Sequence, residues 1–252
     1  MMSVGKFKDR VALVTGASTG IGASTAIQMA QNGVKTVINY HTSEEQAREV
    51  LRKIETLGGL AILMKADVRD NAQVKNMVQK TVDRFGKIDI LVNNAGGMIK
   101  RVPIAEMDDS VWDETMGLNL RSMFYCCRAT IPHMLKNNYG RIVNVSSLAA
   151  DNGGGRLATA YATAKSGMYG FTKGLAKELG PNGITVNAVS PGLIDTPFHT
   201  KAETGNLESF VPMIHVRRLG TADEVANLIL YLSSDDAGFV TGSVYRITGG
   251  QR

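Results

Sequence analysis

Residues 11–31 read VALVTGASTGIGASTAIQMAQ, and this stretch decides the fold. A short β-branched run over residues 11–15 predicts a strand, and residues 21–31 have the period of a helix. Between them lies a glycine cluster, Thr15-Gly16-Ala17-Ser18-Thr19-Gly20-Ile21-Gly22. Glycines at a strand-to-helix turn let backbone amides approach a pyrophosphate at the helix N-terminus. Because the spacing is G-x-x-x-G-x-G and not G-x-G-x-x-G, a loop that merely caps the helix stays open as an alternative.

Strands and helices alternate along the rest of the chain. Further strands are predicted at residues 36–39, 61–65, 88–92, 141–145, 184–189 and 244–247, and further helices at 44–57, 71–85, 110–136, 161–179 and 223–232. Strands separated by crossover helices specify a parallel sheet covered on both faces, as in doubly wound α/β proteins. Residues 191–218 lack clean periodicity, so we expect a substrate lid there, with a purely structural excursion as the alternative.

Length and composition fit one domain over residues 1–252. The chain has 252 residues, 44% hydrophobic and 20% charged, which excludes disordered and fibrous classes. The two cysteines, Cys126 and Cys127, are adjacent, so they form neither a disulfide framework nor a spaced metal site. We expect them to be small apolar core residues in a protein without a metal.

Charge and hydropathy limit which partners the protein can bind and in which compartment we expect it. No signal peptide precedes the first strand, and no apolar stretch approaches the roughly 20 residues that cross a bilayer, so we expect a soluble, cytoplasmic protein. The net charge of +5 is spread along the chain without a basic stripe. This balance favours anionic ligands and predicts no binding to nucleic acid or membranes.

The corner after the second predicted strand bears on cofactor choice. Many dinucleotide folds place an acid there to bind the adenosine ribose, and this chain has Tyr40, His41, Thr42 and Ser43 instead. NADP is therefore favoured over NAD, which stays possible because no arginine stands at this corner in the sequence. Asp67, after the third strand, accepts from an adenine amino group or caps the next helix.

A candidate catalytic set follows the later strands. Tyr161 and Lys165 are four residues apart, hence on one face of a helix, and a nearby cation favours the phenolate and lowers a tyrosine pKa. Ser147 follows a predicted strand at the carboxyl edge of the sheet, where ligands bind. Asn93-Asn94-Ala95-Gly96 lies at the same edge, and Asn119 sits inside a predicted helix, where asparagine is unfavourable without a reason.

Together these motifs, with Pro191-Gly192, resemble the short-chain dehydrogenase/reductase family over almost the whole chain. The resemblance implies a Rossmann-type sheet of about seven strands, a nicotinamide cofactor and a homotetramer. It also implies that Tyr161 protonates a carbonyl oxygen as hydride arrives and that Ser147 orients that oxygen. Lys165 would bind the nicotinamide ribose and lower the Tyr161 pKa, and Asn119 would hold a water linking Lys165 to solvent.

The resemblance also implies the cofactor contacts. The pyrophosphate side would be contacted by Gly16, Ser18, Thr19 and Ile21, and the adenine by Asp67 and Val68. The adenosine ribose region would be contacted by Asn94, Ala95 and Gly96, and the nicotinamide carboxamide by Pro191, Gly192, Ile194 and Thr196. Tyr161 and Lys165 would also be cofactor contacts.

The resemblance leaves two substrate classes open, one for each of two subgroups of the family. Reduction of a 3-oxoacyl thioester by NADP(H) is the first hypothesis and oxidation of a sugar or polyol the second, with a non-catalytic cofactor sensor behind both. We expect residues 98–103, 148–157 and 191–218 to build the pocket, with Asp151, Asn152, Arg156 and His199 among its polar members. Candidates for docking an acyl carrier protein are Lys136, Arg141, Lys173 and Lys177, which are equally ordinary solvated positions.

Overall fold

A computed structural model of the chain describes residues 7, 9–201 and 206–251. Its strands are β1 Val11–Val14, β2 Lys35–Tyr40, β3 Ala61–Lys65, β4 Ile90–Asn93, β5 Gly140–Val145, β6 Ile184–Pro191, β7 Ile194–Asp195, β8 Gly220–Thr221 and β9 Val244–Ile247. Its α-helices are α1 Gly20–Gln31, α2 Glu44–Thr56, α3 Asn71–Phe85, α4 Asp109–Met116, α5 Ser122–Lys136, α6 Ala149–Asn152, α7 Thr159–Leu179, α8 Phe198–Lys201 and α9 Ala222–Leu232. Residues 1–6, 8 and 252 of the predicted domain, and 202–205 of the predicted lid, lie outside the described residues.

Seven strands form one parallel sheet in the order β3-β2-β1-β4-β5-β6-β9. The strand order reverses between β1 and β4, which pair directly, with Leu13 opposite Leu91. A crevice outside the carboxyl ends of the strands at such a reversal is where doubly wound proteins bind ligands. The predicted fold class, a Rossmann-type α/β sheet with helices on both faces, is confirmed.

A separate hydrophobic core lies on each face of the sheet. Alternate β1 residues point to opposite faces, so Val14 joins one core and Leu13 the other. Cys126 and Cys127 lie in the second core, each 1% exposed, as predicted. Their burial raises the pKa of the Cys127 thiol to about 12.

The helix predicted over residues 110–136 is wrong as a continuous α-helix. A turn of π-helix, Gly117–Arg121, separates α4 from α5. Single π turns often mark functional sites, and Asn119 lies within this one.

Residues 191–218 contain β7, α8 and a 3-10 helix, Leu207–Met213, and β7 pairs with β8. Local order therefore interrupts the predicted irregular segment, and its role as a lid stays a prediction. Within the described part of the chain, no helix is long and apolar enough to cross a membrane.

Candidate active site

The glycine loop, which runs from the end of β1 into the first turn of α1, has no room for side chains at two of its glycines. A Cβ atom on Gly22 would lie 2.4 Å from both Asn94 Nδ2 and the Gly16 carbonyl oxygen. A Cβ atom on Gly16, whose φ is +60°, would lie 2.9 Å from Ala95 Cα. The loop therefore packs directly on the segment that follows β4.

Hydrogen bonds fix that packing. Thr15 Oγ1 accepts from the backbone amides of Asn94 and Ala95, each at 3.0 Å. The Asn94 side-chain amide donates to the carbonyl oxygens of Thr15 and Gly16 at 3.0 and 2.9 Å. Asn94 and Ala95, which were predicted as cofactor contacts, thus hold the glycine loop in place through these hydrogen bonds.

The start of α1 suits an anionic ligand. Thr19 occupies the N-cap position in extended conformation, yet its side chain makes no capping hydrogen bond, and the first turn holds no acidic residue. Backbone amides at such a helix start are satisfied by side chains, water or a bound anion, and the helix dipole favours negative charge there. Together with the glycines, this arrangement fits the pyrophosphate of a dinucleotide.

At the end of β2, the four predicted residues have different surroundings. Tyr40 is buried, and its hydroxyl is hydrogen-bonded to Glu44, so burial and that carboxylate raise its pKa. His41 and Thr42 are exposed, and His41 Nε2 lies 3.9 Å from Asp67 Oδ2. Ser43 precedes α2 without capping it through its side chain.

Two arginines reach this corner, contrary to the expectation that none is present. Arg48 pairs with Glu44 at 2.6 Å, and Arg69 pairs with Asp67 at 2.7 Å. The Arg69 hydrogen bond holds the pKa of the Asp67 carboxyl below its usual range despite partial burial. The i, i+4 spacing of Glu44 and Arg48 in the sequence indicates an ion pair between them. No such spacing indicates the pairing of Asp67 with Arg69.

The two roles considered for Asp67 can be separated. The cap of α3 is Asp70, whose carboxylate accepts from the amides of Ala72 and Gln73 at 2.8 and 3.2 Å. Asp67 is therefore not the helix cap, and Val68 beside it is buried.

Asn119 is fully buried in the π turn and clamps the segment after β4. Its Oδ1 accepts from the Gly97 amide at 3.0 Å, and its Nδ2 donates to the carbonyl oxygens of Gly97 and Thr115 at 2.9 and 3.0 Å. A Cβ atom on Gly96 would lie 2.8 Å from Asn119 Oδ1 and 3.0 Å from Lys165 Nζ. The clamp thus brings Gly96, Asn119 and Lys165 together, which explains an asparagine within a helix.

Tyr161, Lys165 and Ser147 meet where β5 ends against α7. Lys165 Nζ donates to the Val145 carbonyl oxygen at 2.8 Å, and Ser146 Oγ donates to the Lys165 carbonyl oxygen at 2.9 Å. Lys165 Nζ lies 5.7 Å from the centre of the Tyr161 ring. The Ser147 hydroxyl is hydrogen-bonded to the Tyr161 hydroxyl, so three of the four predicted catalytic side chains lie together, with Tyr161 and Lys165 buried.

The pKa of Tyr161 shifts opposite to the expected direction. Burial raises it to about 12, and the hydrogen bond to Ser147 offsets only part of that shift. Burial lowers the pKa of Lys165 to about 8. The predicted lowering of the Tyr161 pKa by Lys165 is not found, because loss of solvent dominates over a cation that also binds the Val145 carbonyl. Tyr161 therefore holds its proton at neutral pH.

The Lys165 shift predicts how stability depends on pH. Because the pKa is about 8 in the folded protein and 10.5 in the unfolded chain, the unfolded chain binds more protons between those values. We expect this lysine to make the free energy of unfolding rise with pH across that window. Urea unfolding of the protein and of Lys165→Met at several pH values measures the difference; equal slopes in both proteins contradict it.

The end of β6 and the segment after it contact the loop after β5, the end of β9 and the glycine loop. The Pro191 carbonyl accepts from the Leu148 amide at 2.8 Å, next to Ser147, and the Gly192 amide donates to the Ile247 carbonyl at 2.8 Å. Thr196 would lie 3.4 Å from a Cβ atom on Gly20, and Ile194 is buried. The predicted carboxamide-binding residues thus lie beside the glycine loop.

Met98 and Phe198 form an apolar wall over Tyr161. The Phe198 ring lies 6.1 Å from the Tyr161 ring, centre to centre, and Met98 packs with Phe198 against Tyr161, Ala149 and Ala162. Asp151, expected among the polar pocket residues, binds Arg246 of β9 through two contacts of 3.0 and 2.7 Å. Asp151 also accepts from the Tyr169 hydroxyl at 3.0 Å, and its place among the polar pocket residues stays a prediction.

The predicted carrier-docking residues are not beside this pocket within the chain. Arg141 is buried, donates to the carbonyls of Gly140, Gly183 and Ser234, and therefore cannot dock a carrier. Lys173 and Lys177 are exposed but lie about 12 and 18 Å along α7 beyond Lys165, at 1.5 Å per residue. Lys136 ends α5, just before β5 begins at the opposite edge of the sheet.

Comparisons with known proteins show which proteins the chain is similar to. A family model described as enoyl-(acyl carrier protein) reductase matches residues 16–252. The chain is 41% identical over 244 residues to (2S)-[(R)-hydroxy(phenyl)methyl]succinyl-CoA dehydrogenase subunit BbsD of Thauera aromatica, with 97% of each chain covered. It is 41% identical to the 3-oxoacyl-[acyl-carrier-protein] reductase of Synechocystis sp., with 96% of each covered. It is 39% identical to the corresponding reductase of Thermotoga maritima, covering 97% of this chain and 98% of that protein.

The family model spans nearly the whole chain, and these relatives are matched over almost their full length. The chain belongs to the short-chain dehydrogenase/reductase family and is an NAD(P)-dependent oxidoreductase.

Proposed function

We propose that the protein reduces the carbonyl of a 3-oxoacyl thioester to a secondary alcohol with NADPH. The observation that carries this proposal is the hydrogen-bonded pair of hydroxyls of Ser147 and Tyr161, with the buried Lys165 beside it, at the sheet edge that also holds the glycine loop. The relatives' names support it, since they describe a 3-oxoacyl carrier protein or a hydroxyl-bearing acyl-CoA.

In the proposed reaction, NADPH held by the glycine loop and the segment after β6 would supply the hydride that reduces the carbonyl carbon. Tyr161 donates its phenolic proton to the carbonyl oxygen, which becomes the new hydroxyl, and Ser147 donates a hydrogen bond that orients that oxygen. A pKa raised to about 12 keeps the Tyr161 proton in place before the reaction. Lys165, with a pKa of about 8, is mostly protonated at neutral pH and would hold the nicotinamide ribose.

The proposal assigns the remaining contacts as the family resemblance implies. The pyrophosphate would lie on Gly16, Ser18, Thr19 and Ile21, the adenine near Asp67 and Val68, and the nicotinamide near Pro191, Gly192, Ile194 and Thr196. Residues 191–218 would act as the substrate lid. We further propose that the protein is a soluble, cytoplasmic homotetramer.

NADPH is favoured over NADH in this proposal because of the corner after β2. Both carboxylates near it, Glu44 and Asp67, are paired with arginines, so they repel a ribose 2′-phosphate less than a free acid would. His41, Thr42 and Ser43 would donate hydrogen bonds to that phosphate.

An acid in place of Tyr40 would reverse the preference. We expect Tyr40→Asp to weaken NADPH binding at least tenfold relative to NADH, since a new carboxylate repels the 2′-phosphate and accepts from ribose hydroxyls. Fluorescence titration with both cofactors measures the ratio, and Tyr40→Phe serves as the control for loss of the hydroxyl bond to Glu44. An unchanged ratio in Tyr40→Asp would show that this corner does not read the phosphate.

The substrate class is tested by following NADPH consumption with an acetoacetyl thioester, with NADH as the comparison. Turnover with formation of the 3-hydroxyacyl thioester supports the proposal. NADPH binding without turnover contradicts it and directs the next assay to oxidation of sugars and polyols.

A further inference from the structure

A cationic side chain stands at the edge of the apolar wall. Arg101 follows Met98, a member of that wall, by three residues, and its Nη1 donates to the Arg156 carbonyl oxygen at 2.8 Å. The same nitrogen would lie 3.4 Å from a Cβ atom on Gly155. Arg101 therefore joins the segment after β4 to the segment before α7, the two chain segments that flank Tyr161.

Arg101 also acts on the other side of the apolar wall, at His199. The Phe198 ring, which packs on Tyr161, lies 5.3 Å from the His199 ring. Burial lowers the pKa of His199, and the charge of Arg101 adds to that lowering while Asp195 opposes it. Arg101 thus follows Met98 by three residues on one side of the apolar wall, and its charge acts on His199, the neighbour of Phe198, on the other.

The surroundings suit recognition of an anion. Arg101 is half-buried and its guanidinium is held by a backbone carbonyl, and the residue that supplies this carbonyl, Arg156, is itself exposed and cationic. A guanidinium offers five N–H donors in a planar fork that matches a carboxylate or phosphate. A partly desolvated site strengthens such a pairing compared with open water.

We propose that Arg101 is a specificity-determining residue that binds an anionic group of the thioester substrate. The inference rests on the proposed function, because it takes the reacting carbonyl to lie at Tyr161. Two sources supply such a group: a carboxylate on the acyl chain, or a phosphate on the carrier arm.

Three substrates separate these sources. Acetoacetyl-N-acetylcysteamine carries no anion, acetoacetyl-CoA carries only phosphates, and 3-oxoadipyl-N-acetylcysteamine carries only a carboxylate. Steady-state kinetics on each, with NADPH saturating, are measured for the unaltered protein and for Arg101→Met, Arg101→Gln and Arg101→Lys. Arg101→Gln retains a donor for the Arg156 carbonyl, and Arg84→Met removes an exposed positive charge at the far end of α3 as a matched control.

We expect KM for an anionic substrate to rise about tenfold in Arg101→Met and Arg101→Gln, with kcat nearly unchanged and partial rescue by Arg101→Lys. The neutral thioester should keep its KM within about twofold, since it makes no such bond. A rise limited to 3-oxoadipyl-N-acetylcysteamine identifies the carboxylate, and a rise limited to acetoacetyl-CoA identifies the phosphate.

Equal losses on all three substrates, or no loss on any, overturn the inference, because the first outcome indicates only a structural role. Failure of the unaltered protein to reduce any of the three overturns the proposed function, and this inference with it. The neutral substrate therefore distinguishes the two failures.

Discussion

Replacing Tyr161 by phenylalanine lowers turnover of a good carbonyl substrate by about a thousandfold, within the 10²- to 10⁴-fold range of general acid catalysis. The change removes one oxygen atom from a ring that is buried, so the packing against Phe198 and Met98 is retained. What is lost is the proton donor that Ser147 positions through its hydrogen bond. Initial rates of NADPH oxidation at saturating substrate measure the effect.

Two controls separate chemistry from structure in that experiment. NADPH affinity, measured by fluorescence titration, should stay within about twofold, because the phenol is not placed on the pyrophosphate or the adenine. Tyr169→Phe removes another half-buried hydroxyl from the same helix, one bound to Asp151 and Ser190, and should leave most of the turnover intact. Full activity in Tyr161→Phe would remove Tyr161 from the reaction.

Replacing Gly22 by alanine abolishes tight cofactor binding and destabilises the fold. The new Cβ atom would lie 2.4 Å from the Gly16 carbonyl oxygen, which is backbone and cannot move without moving the whole loop. Overpacking of this kind costs about 1–3 kcal/mol, against a gain of at most about 1 kcal/mol from alanine in a helix. Calorimetric titration with NADPH and thermal unfolding report the two effects.

Gly174→Ala is the matched control for that substitution. Gly174 also lies in a helix, is exposed, and a Cβ atom there meets nothing within 4 Å. We expect it to leave NADPH binding unchanged and to raise stability slightly. If Gly22→Ala bound NADPH as well as Gly174→Ala does, the glycine loop would not be the cofactor cradle.

Most of the fold was predictable because hydrophobic periodicity is a local property. The bounds of β3 and α3 agree with the sequence-based prediction at every residue, and those of β9 do too. The break between α4 and α5 was not predictable, because Asn119 forms its π turn through bonds to Gly97, which is distant in sequence. Periodicity over residues 110–136 contains no sign of that contact.

In the candidate site, too, the features set by nearby residues were predictable and those set by residues distant in sequence were not. Spacing alone placed Tyr161 and Lys165 on one helix face, and the structure brings Ser147 to them. The direction of the Tyr161 pKa shift could not be predicted, because it depends on burial by Phe198 and Met98 from distant segments. Likewise, the binding of Asp151 to Arg246 depends on which strand lies next to α6, 95 residues away in sequence.

The central claim is that Tyr161 protonates the carbonyl of a 3-oxoacyl thioester during reduction with NADPH. Its most direct test is a single assay that follows NADPH absorbance and 3-hydroxyacyl thioester formation together, with acetoacetyl-CoA and either the unaltered protein or Tyr161→Phe. The predicted result is one product molecule formed for each NADPH consumed, with turnover lost in Tyr161→Phe while NADPH binding persists. Product formed at the same rate by both proteins, or no product from the unaltered protein with NADPH bound, would contradict the claim.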